Sequence, residues 1–231
     1  MYDEALNIWP DDAILLAGKA RLYQALGDLD QADELLRKLH PTAKDAGALW
    51  SAIYYQAKLR RRYSDAIDVV RSFLDQPGSL NPRTSNWYWR SLGDLERFSG
   101  DLANANASYV NARDELERRL KEQPTNADLI EELAEVYAGL GDSQLAMKYV
   151  ERAISLKPAS KDAWMGPTYE DTRARIAARF GMKSIAIPAL EHLLEIPYID
   201  PVTPALLRLD PDFDLLRGDP RFEKLAHSDG K

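Results

Sequence analysis

Turn signals recur along this chain at nearly regular intervals, and they constrain its fold more than any other feature. A Gly-Asp pair, or its positional equivalent, occurs at Gly27-Asp28, Arg61-Arg62, Gly100-Asp101, Gly141-Asp142 and Gly181-Met182. The successive spacings are 34, 39, 41 and 40 residues. Glycine tolerates the left-handed backbone that ends a helix, and aspartate caps the helix that follows. Because repeats of this length are typical of solenoids, the pattern predicts five stacked helix–turn–helix units.

The segments between the turns have the apolar period of amphipathic helices. In the first unit, Leu16, Ala20 and Tyr23 fall on one helix face. One such unit cannot bury its apolar face alone, so neighbouring units must stack to remove that face from water. We therefore predict an all-α chain, in which Pro41 ends a helix and residues 75–82 form a turn-rich linker.

The C-terminal segment has a different pattern. It contains three pairs of a capping residue and a proline: Thr203-Pro204, Asp210-Pro211 and Asp219-Pro220. Each pair offers a side-chain acceptor at the N-cap and a preset φ at the next position, and apolar residues follow. We predict three short helices that fold over the last unit, because the end of a solenoid otherwise exposes an apolar face.

One stretch, residues 86–112, carries a distinctive set of residues around its turn. They are Trp89, Leu92, Gly93, Gly100, Ala105, Tyr109 and Ala112. This set matches the W-x2-L-G and A-x3-F positions of the tetratricopeptide pattern, and residues 11–197 resemble the tetratricopeptide repeat superfamily. The resemblance implies a right-handed α-α superhelix of about five repeats with a short helical C-terminal cap.

The same register places the start of the chain inside a repeat. Tyr2, Ala5 and Pro10 take the aromatic, second-alanine and closing-proline positions. We therefore expect residues 1–10 to be the second half of a truncated repeat and the chain to be a fragment of a larger protein. Residues 198–231 are expected to form the cap and tail.

The C-terminal block also narrows the resemblance. Residues 203–226, with residues 162–171 before them, are similar to the C-terminal tetratricopeptide regions of multidomain bacterial signalling proteins. In such proteins the repeats follow a Ser/Thr kinase, a nucleotide cyclase or a winged-helix domain.

Composition and charge exclude several classes of protein. The chain has 231 residues, no cysteine and a net charge of -7. The acidic balance argues against nucleic-acid binding, since phosphate contacts require a basic face. No apolar run is long enough for a membrane span, and no secretory signal is recognisable. We expect a cytoplasmic protein.

No pattern in the sequence predicts catalysis, a cofactor or a metal site. The three histidines are isolated from one another in sequence, and no phosphate-binding or hydrolase motif occurs. The Asp210-Pro-Asp212-Phe-Asp214 run has the opening spacing of a calcium loop but lacks its glycine and glutamate, so we interpret it as helix capping. The Arg60-Arg61-Arg62 run is either a solvated helix end or a phosphate site.

The tetratricopeptide resemblance implies a concave groove lined by the first helix of each repeat. Carried onto this sequence, the groove positions are Arg21, Gln24, Tyr55, Lys58, Trp87, Arg90, Asp94, Arg97, Glu131 and Glu135. The groove would be basic and aromatic in its first half and acidic later. It is expected to bind a protein or an extended peptide, as a non-catalytic scaffold. The alternative is self-association, with a homodimer formed through the N-terminal end.

Overall fold

Helices account for all of the regular structure in the described part of the chain. The computed structural model describes residues 2–39, 46–74 and 82–228. These residues form α1 (Tyr2–Ile8), α2 (Ala13–Leu26), α3 (Leu29–Leu36), α4 (Ala46–Arg60), α5 (Tyr63–Leu74), α6 (Pro82–Ser99), α7 (Leu102–Glu122), α8 (Ala127–Gly139), α9 (Ser143–Leu156), α10 (Gly166–Arg179), α11 (Lys183–Leu193), α12 (Pro204–Leu209), a 3-10 helix (Pro211–Leu216) and α13 (Pro220–Ala226). No strand occurs in these ranges, which confirms the all-α prediction. Pro41 and residues 75–81 of the expected linker lie outside the described residues.

Helices α2 to α11 form five consecutive pairs that stack as a solenoid. Within each pair the two helices pack together: α2 on α3, α4 on α5, and so on to α10 on α11. The first helix of each pair contacts the first helix of the next pair, and the second helix contacts it as well. The first helices thus line one side of the stack, and we call this side the concave face. Helix α1 packs on α2 in the same way as a second helix packs on the pair that follows.

The five predicted turns all contain a residue with left-handed backbone, as expected. The φ angles are 83° at Gly27, 90° at Gly100, 84° at Gly141 and 66° at Gly181. Arg61 takes the same conformation with φ 56°, although an L side chain disfavours it. Asp28, Asp101 and Asp142 then cap the following helices through their side chains.

Small residues allow the helices to approach one another closely. Ala134 in α8 and Ala146 in α9 are both fully buried, and they belong to one apolar cluster. At Gly93 and Gly139 an added Cβ would lie only 2.9 Å and 2.3 Å from the Tyr109 ring. The ring therefore fills the space that these two glycines leave.

The C-terminal segment does more than cover the last pair. The three predicted short helices exist, and Thr203, Asp210 and Asp219 cap them as expected. Helix α13 packs on α11 and the 3-10 helix on α10, but α12 crosses to α2 and α4. The Thr203 hydroxyl donates a hydrogen bond of 2.6 Å to the carbonyl of Ala25 at the end of α2. The prediction of an end cover was therefore incomplete, because the segment lies across the concave face.

Large charged substitutions at the two alanine positions should destabilise the fold. We expect Ala134→Arg or Ala146→Arg to lower the free energy of unfolding by about 3 kcal/mol or more, through overpacking and a buried charge. The control is Ala103→Arg, since Ala103 is exposed on α7. Urea unfolding followed by circular dichroism measures the difference. Equal losses in all three variants would contradict the packing described above.

Candidate functional site

The concave face is held together by polar contacts between successive first helices. The Gln24 amide donates to the carbonyl of Ala52 at 2.8 Å, which links α2 to α4. The Tyr54 hydroxyl donates to Asp94 at 3.0 Å, which links α4 to α6. Further along, ion pairs and hydrogen bonds join α6 to α8 and α8 to α10. Polar contacts therefore link all five first helices along this face.

The ten residues predicted to line a groove lie on four of these helices and have different environments. Gln24 is fully buried between α2 and α4. Trp87 is half-buried, with its ring edge-on to Trp50 at 6.5 Å. The remaining eight separate into residues that meet the C-terminal segment and residues that do not.

Asp210 and Asp212 of the C-terminal segment meet the basic residues of the concave face. Lys58 Nζ lies 2.9 Å from Asp210 Oδ1 and 2.5 Å from Asp212 Oδ2. Arg175 Nη1 lies 2.7 Å from Asp210 Oδ2, and Arg179 Nε lies 2.6 Å from Asp212 Oδ1. Both carboxylates are almost fully removed from solvent, with exposed fractions of 0% and 3%. We call these five residues the buried ion cluster.

Two of the predicted groove residues extend the buried ion cluster towards α7. Asp94 lies 3.2 Å from Arg179 Nη2 and accepts a hydrogen bond of 2.8 Å from the Tyr109 hydroxyl. Arg97 Nη2 is 3.9 Å from Asp212. Asp94 is fully buried. Arg97 therefore contacts the C-terminal segment directly, whereas Asp94 contacts Arg179, which binds that segment. This part of the face already has an occupant.

The charges of the cluster stabilise one another. Burial opposes ionisation of Asp212, but Arg179 and Lys58 outweigh it and hold the pKa of this carboxyl well below its usual range. Burial likewise opposes the charged form of Lys58, yet Asp210 and Asp212 raise the pKa of its ammonium group. Asp212 and Lys58 therefore remain ionised at neutral pH.

The other predicted residues form a second, less buried surface beside the cluster. The Arg21 guanidinium lies 3.8 Å above the Tyr55 ring. Arg90 Nη1 lies 3.2 Å from Glu135, and Glu131 lies about one turn earlier on the same helix. All five side chains are partly exposed. We call Arg21, Tyr55, Arg90, Glu131 and Glu135 the half-buried strip.

Glu131 has an unusual environment within the half-buried strip. Its carboxyl accepts a hydrogen bond of 2.5 Å from the Thr172 hydroxyl. Within the described ranges no cation forms an ion pair with it, because Arg90 binds Asp94 and Glu135 instead. Burial and the neighbouring Glu135 raise the pKa of Glu131 to about 8. This carboxyl is therefore mostly protonated at neutral pH.

Sequence reasoning placed Lys58 in the groove but missed its pairing with the carboxylates of the C-terminal segment. Asp210 does cap the 3-10 helix, since its side chain accepts from the Asp212 amide at 3.0 Å, and this confirms the capping interpretation. Because helix capping already explained the Asp210-Pro-Asp212-Phe-Asp214 run, nothing in the sequence indicated that these carboxylates also form ion pairs with the concave face. The Arg60-Arg61-Arg62 run pairs with carboxylates of this chain, namely Asp30, Asp33 and Asp214. In the described residues no group of acidic or histidine side chains is arranged for a metal ion.

Comparison with known proteins agrees with this architecture. The tetratricopeptide repeat family model matches residues 13–39 and 127–160, which correspond to α2–α3 and α8–α9. These two stretches are tetratricopeptide repeats. The all-α stack of helix pairs around them is the solenoid of this superfamily. A search of curated proteins finds no relative that matches the chain.

The two matched stretches belong to a repeat type with a broad known role. Tetratricopeptide repeats generally mediate protein–protein interactions, and proteins built from them are typically non-catalytic scaffolds. Among the described helices, none is both long and apolar enough to cross a membrane.

Removal of one carboxylate from the buried ion cluster should be costly. We expect Asp212→Asn to lower the free energy of unfolding at pH 7 by about 3–5 kcal/mol, because Lys58 and Arg179 lose their counter-charge in a buried site. The low pKa of Asp212 means that its contribution is present above its ordinary pKa and is lost as the pH falls through the lower, folded value. The deficit should therefore shrink in strong acid.

The matched control for this prediction is Asp214→Asn. Asp214 pairs with Arg61 and Arg217, but its side chain is 37% exposed. Exposed pairs contribute about 0–1 kcal/mol, so this variant should stay close to the parent in urea unfolding. The opposite ranking of the two variants would show that the cluster does not stabilise the fold.

The raised pKa of Glu131 predicts a pH-dependent gain in stability on its replacement. A folded pKa near 8, above the ordinary value of 4.5, means that this carboxyl favours the folded state most at acidic pH. Its contribution is lost as the pH rises through about 8. Glu131→Gln cannot ionise, so its melting temperature should exceed that of the parent at pH 8.5 and differ little at pH 5. Thermal melts at the two pH values test this, and a pH-independent difference would contradict it.

Proposed function

We propose that the chain is a non-catalytic scaffold that binds an extended segment of a partner protein along the half-buried strip. The observation that carries the proposal is the continuity of this strip across the solenoid. It begins at Arg21 on α2, crosses Tyr55 and Arg90, and reaches Glu131 on α8, next to Thr172 of α10. An extended peptide of several residues can follow such a surface.

The chemistry of the strip favours a partner with a basic side chain. Lys58, Arg175 and Arg179 already bind carboxylates of the C-terminal segment. Glu131, in contrast, has only a hydroxyl donor among the described residues. A lysine or arginine of the partner would supply the missing cation and would favour the ionised form of Glu131. The Tyr55 ring, with Arg21 stacked on it, offers an adjacent contact for an apolar or aromatic side chain.

The proposal extends to the context of the chain. We infer that residues 11–197 are the binding part of a larger cytoplasmic regulator of the bacterial signalling type. The similarity of residues 203–226 to the tails of such proteins supports this inference, as does the acidic composition.

Selection of peptides on the full chain tests the function directly. A library of random peptides is displayed and selected, and binding of the enriched peptides is measured by calorimetry. We expect enriched sequences to contain lysine or arginine. Their affinity should rise between pH 6 and pH 8, because a proton must leave Glu131 before a cation can pair with it.

A pair of matched variants makes this test specific. Arg21→Ala with Glu131→Gln should weaken the selected peptides at least about tenfold, which corresponds to about 1.4 kcal/mol, and should abolish the pH dependence. The control removes the same residue types from an exposed pair on α7, Arg118→Ala with Glu122→Gln. Equal binding by both variants would exclude the strip as the binding surface.

Self-association is a second candidate, and an exposed apolar surface favours it. The exposed fractions are 67% for Ile8, 59% for Trp9, 59% for Ile14, 47% for Leu22 and 64% for Leu26. These side chains lie on α1, on α2 and in the turn between them. Apolar side chains gathered at one end of a solenoid can form an isologous contact between two copies.

Sedimentation of the full chain at increasing concentration tests self-association. We expect a dimer that Leu22→Glu with Leu26→Glu dissociates, while Leu102→Glu with Ile185→Glu leaves it intact. Leu102 and Ile185 are also exposed apolar residues, but they lie on α7 and α11. A chain that remains monomeric throughout would rule this candidate out.

A further inference from the structure

We propose that the basic part of the concave face is a receptor for acidic segments, in which residues 210–216 are the resident occupant. A partner segment with two carboxylates followed by an aromatic side chain would replace them. This receptor is the buried ion cluster together with the apolar site beneath it, so the proposal does not rest on the half-buried strip.

The resident segment has the character of a bound peptide ligand. It presents two carboxylates to three cations and places Phe213 and Leu216, both fully buried, among the side chains of α10 and α11. The Arg175 guanidinium lies 5.1 Å from the centre of the Phe213 ring. The segment thus combines paired carboxylates with an aromatic side chain that lies in the apolar cluster of α10 and α11, and charges combined with an aromatic anchor are also typical of peptide recognition.

The charges on the concave face favour replacement of the resident segment by another acidic segment over its release without a replacement. Without the segment, Lys58, Arg97, Arg175 and Arg179 would repel one another, and among their described ion-pair partners Asp94 and Asp171 would remain to compensate them. Buried ion pairs recover little more than the cost of desolvating their charges, so another acidic segment can replace this one at small net cost. The receptor therefore selects for carboxylates.

Left-handed backbone occurs next to both attachments of the segment. In the described part of the chain, Arg61 and Asp200 are the non-glycine residues with positive φ, at 56° and 49°. Arg61 holds Asp214 through two hydrogen bonds of 2.7 Å and 2.8 Å, and Asp200 lies in the exposed loop that leads into the segment. The conformation of Arg61 belongs to the turn between α4 and α5, whereas release of the segment would free the backbone at Asp200.

The experiment uses the full chain with a protease recognition sequence inserted at the exposed residues 199–201. Cleavage leaves the resident segment bound but no longer tethered. The probe is a labelled synthetic peptide of residues 203–217. A tether acts as a millimolar effective concentration, so we expect the probe to bind the cleaved chain at least about tenfold more tightly than the uncleaved chain. Circular dichroism should show unchanged helicity.

Three further peptides define the specificity. The probe with Asp210→Asn and Asp212→Asn should bind at least about tenfold more weakly, and a scrambled probe should not compete. The third peptide has a Gly-Ser sequence with Asp-Ala-Asp-Trp inserted, so it has the two carboxylates and the aromatic side chain proposed for the partner. It should compete with the probe. The Arg21→Ala, Glu131→Gln variant should bind the probe normally, which separates this result from the test of the strip.

Several outcomes would overturn the proposal. If excess probe never displaces the resident segment, that segment is a permanent part of the core. The same conclusion holds if its release unfolds the cleaved chain. Equal binding of the asparagine or scrambled probe would show nonspecific adhesion. Failure of the designed peptide to compete would show that the chemistry named here does not define the partner.

Discussion

The ion pairs of Asp210 and Asp212 with Lys58, Arg175 and Arg179 connect parts of the solenoid that its repeats alone would leave apart. Lys58 belongs to the second helix pair and Arg175 to the fifth, and 152 residues separate Lys58 from Asp210. A stack of repeats normally has contacts only between neighbours. Here the acidic segment adds a contact across the concave face, so Lys58, Arg175 and Arg179 are paired with carboxylates outside the repeats.

This contact divides the concave face into two chemically distinct parts. Where the segment lies, cations and carboxylates are matched and Asp212 stays ionised in a buried site. Beside it, Glu131 lies near other acids without a matching cation, and it holds its proton. Asp212 and Glu131 thus differ in charge because cations pair with Asp212 but, among the described residues, not with Glu131. An incoming ligand would need carboxylates at the first place and a cation at the second.

The features that could be predicted from the sequence are those determined by residues close to one another along the chain. The turns followed from Gly27, Gly100 and their equivalents, and the short C-terminal helices followed from their capping residues. The contact of Asp210 with Lys58 could not be predicted, because local capping already explained an aspartate before a proline. The left-handed backbone of Arg61 was predicted only by its spacing from the neighbouring turns, and the structure adds its contact with Asp214.

Both ends of the solenoid carry apolar side chains that favour burial, but in the described part of the chain only one end is covered. At one end, α13 and the 3-10 helix cover α10 and α11, whose apolar side chains join Phe213 and Phe222 in one cluster. At the other end, α12 reaches α2 but the side chains of Ile14 and Leu22 remain exposed. Stacked repeats bury the equivalent faces everywhere between. An apolar contact with another helix at α2 would therefore extend the packing that the rest of the solenoid already uses, whereas the charged concave face requires a ligand of matched charge.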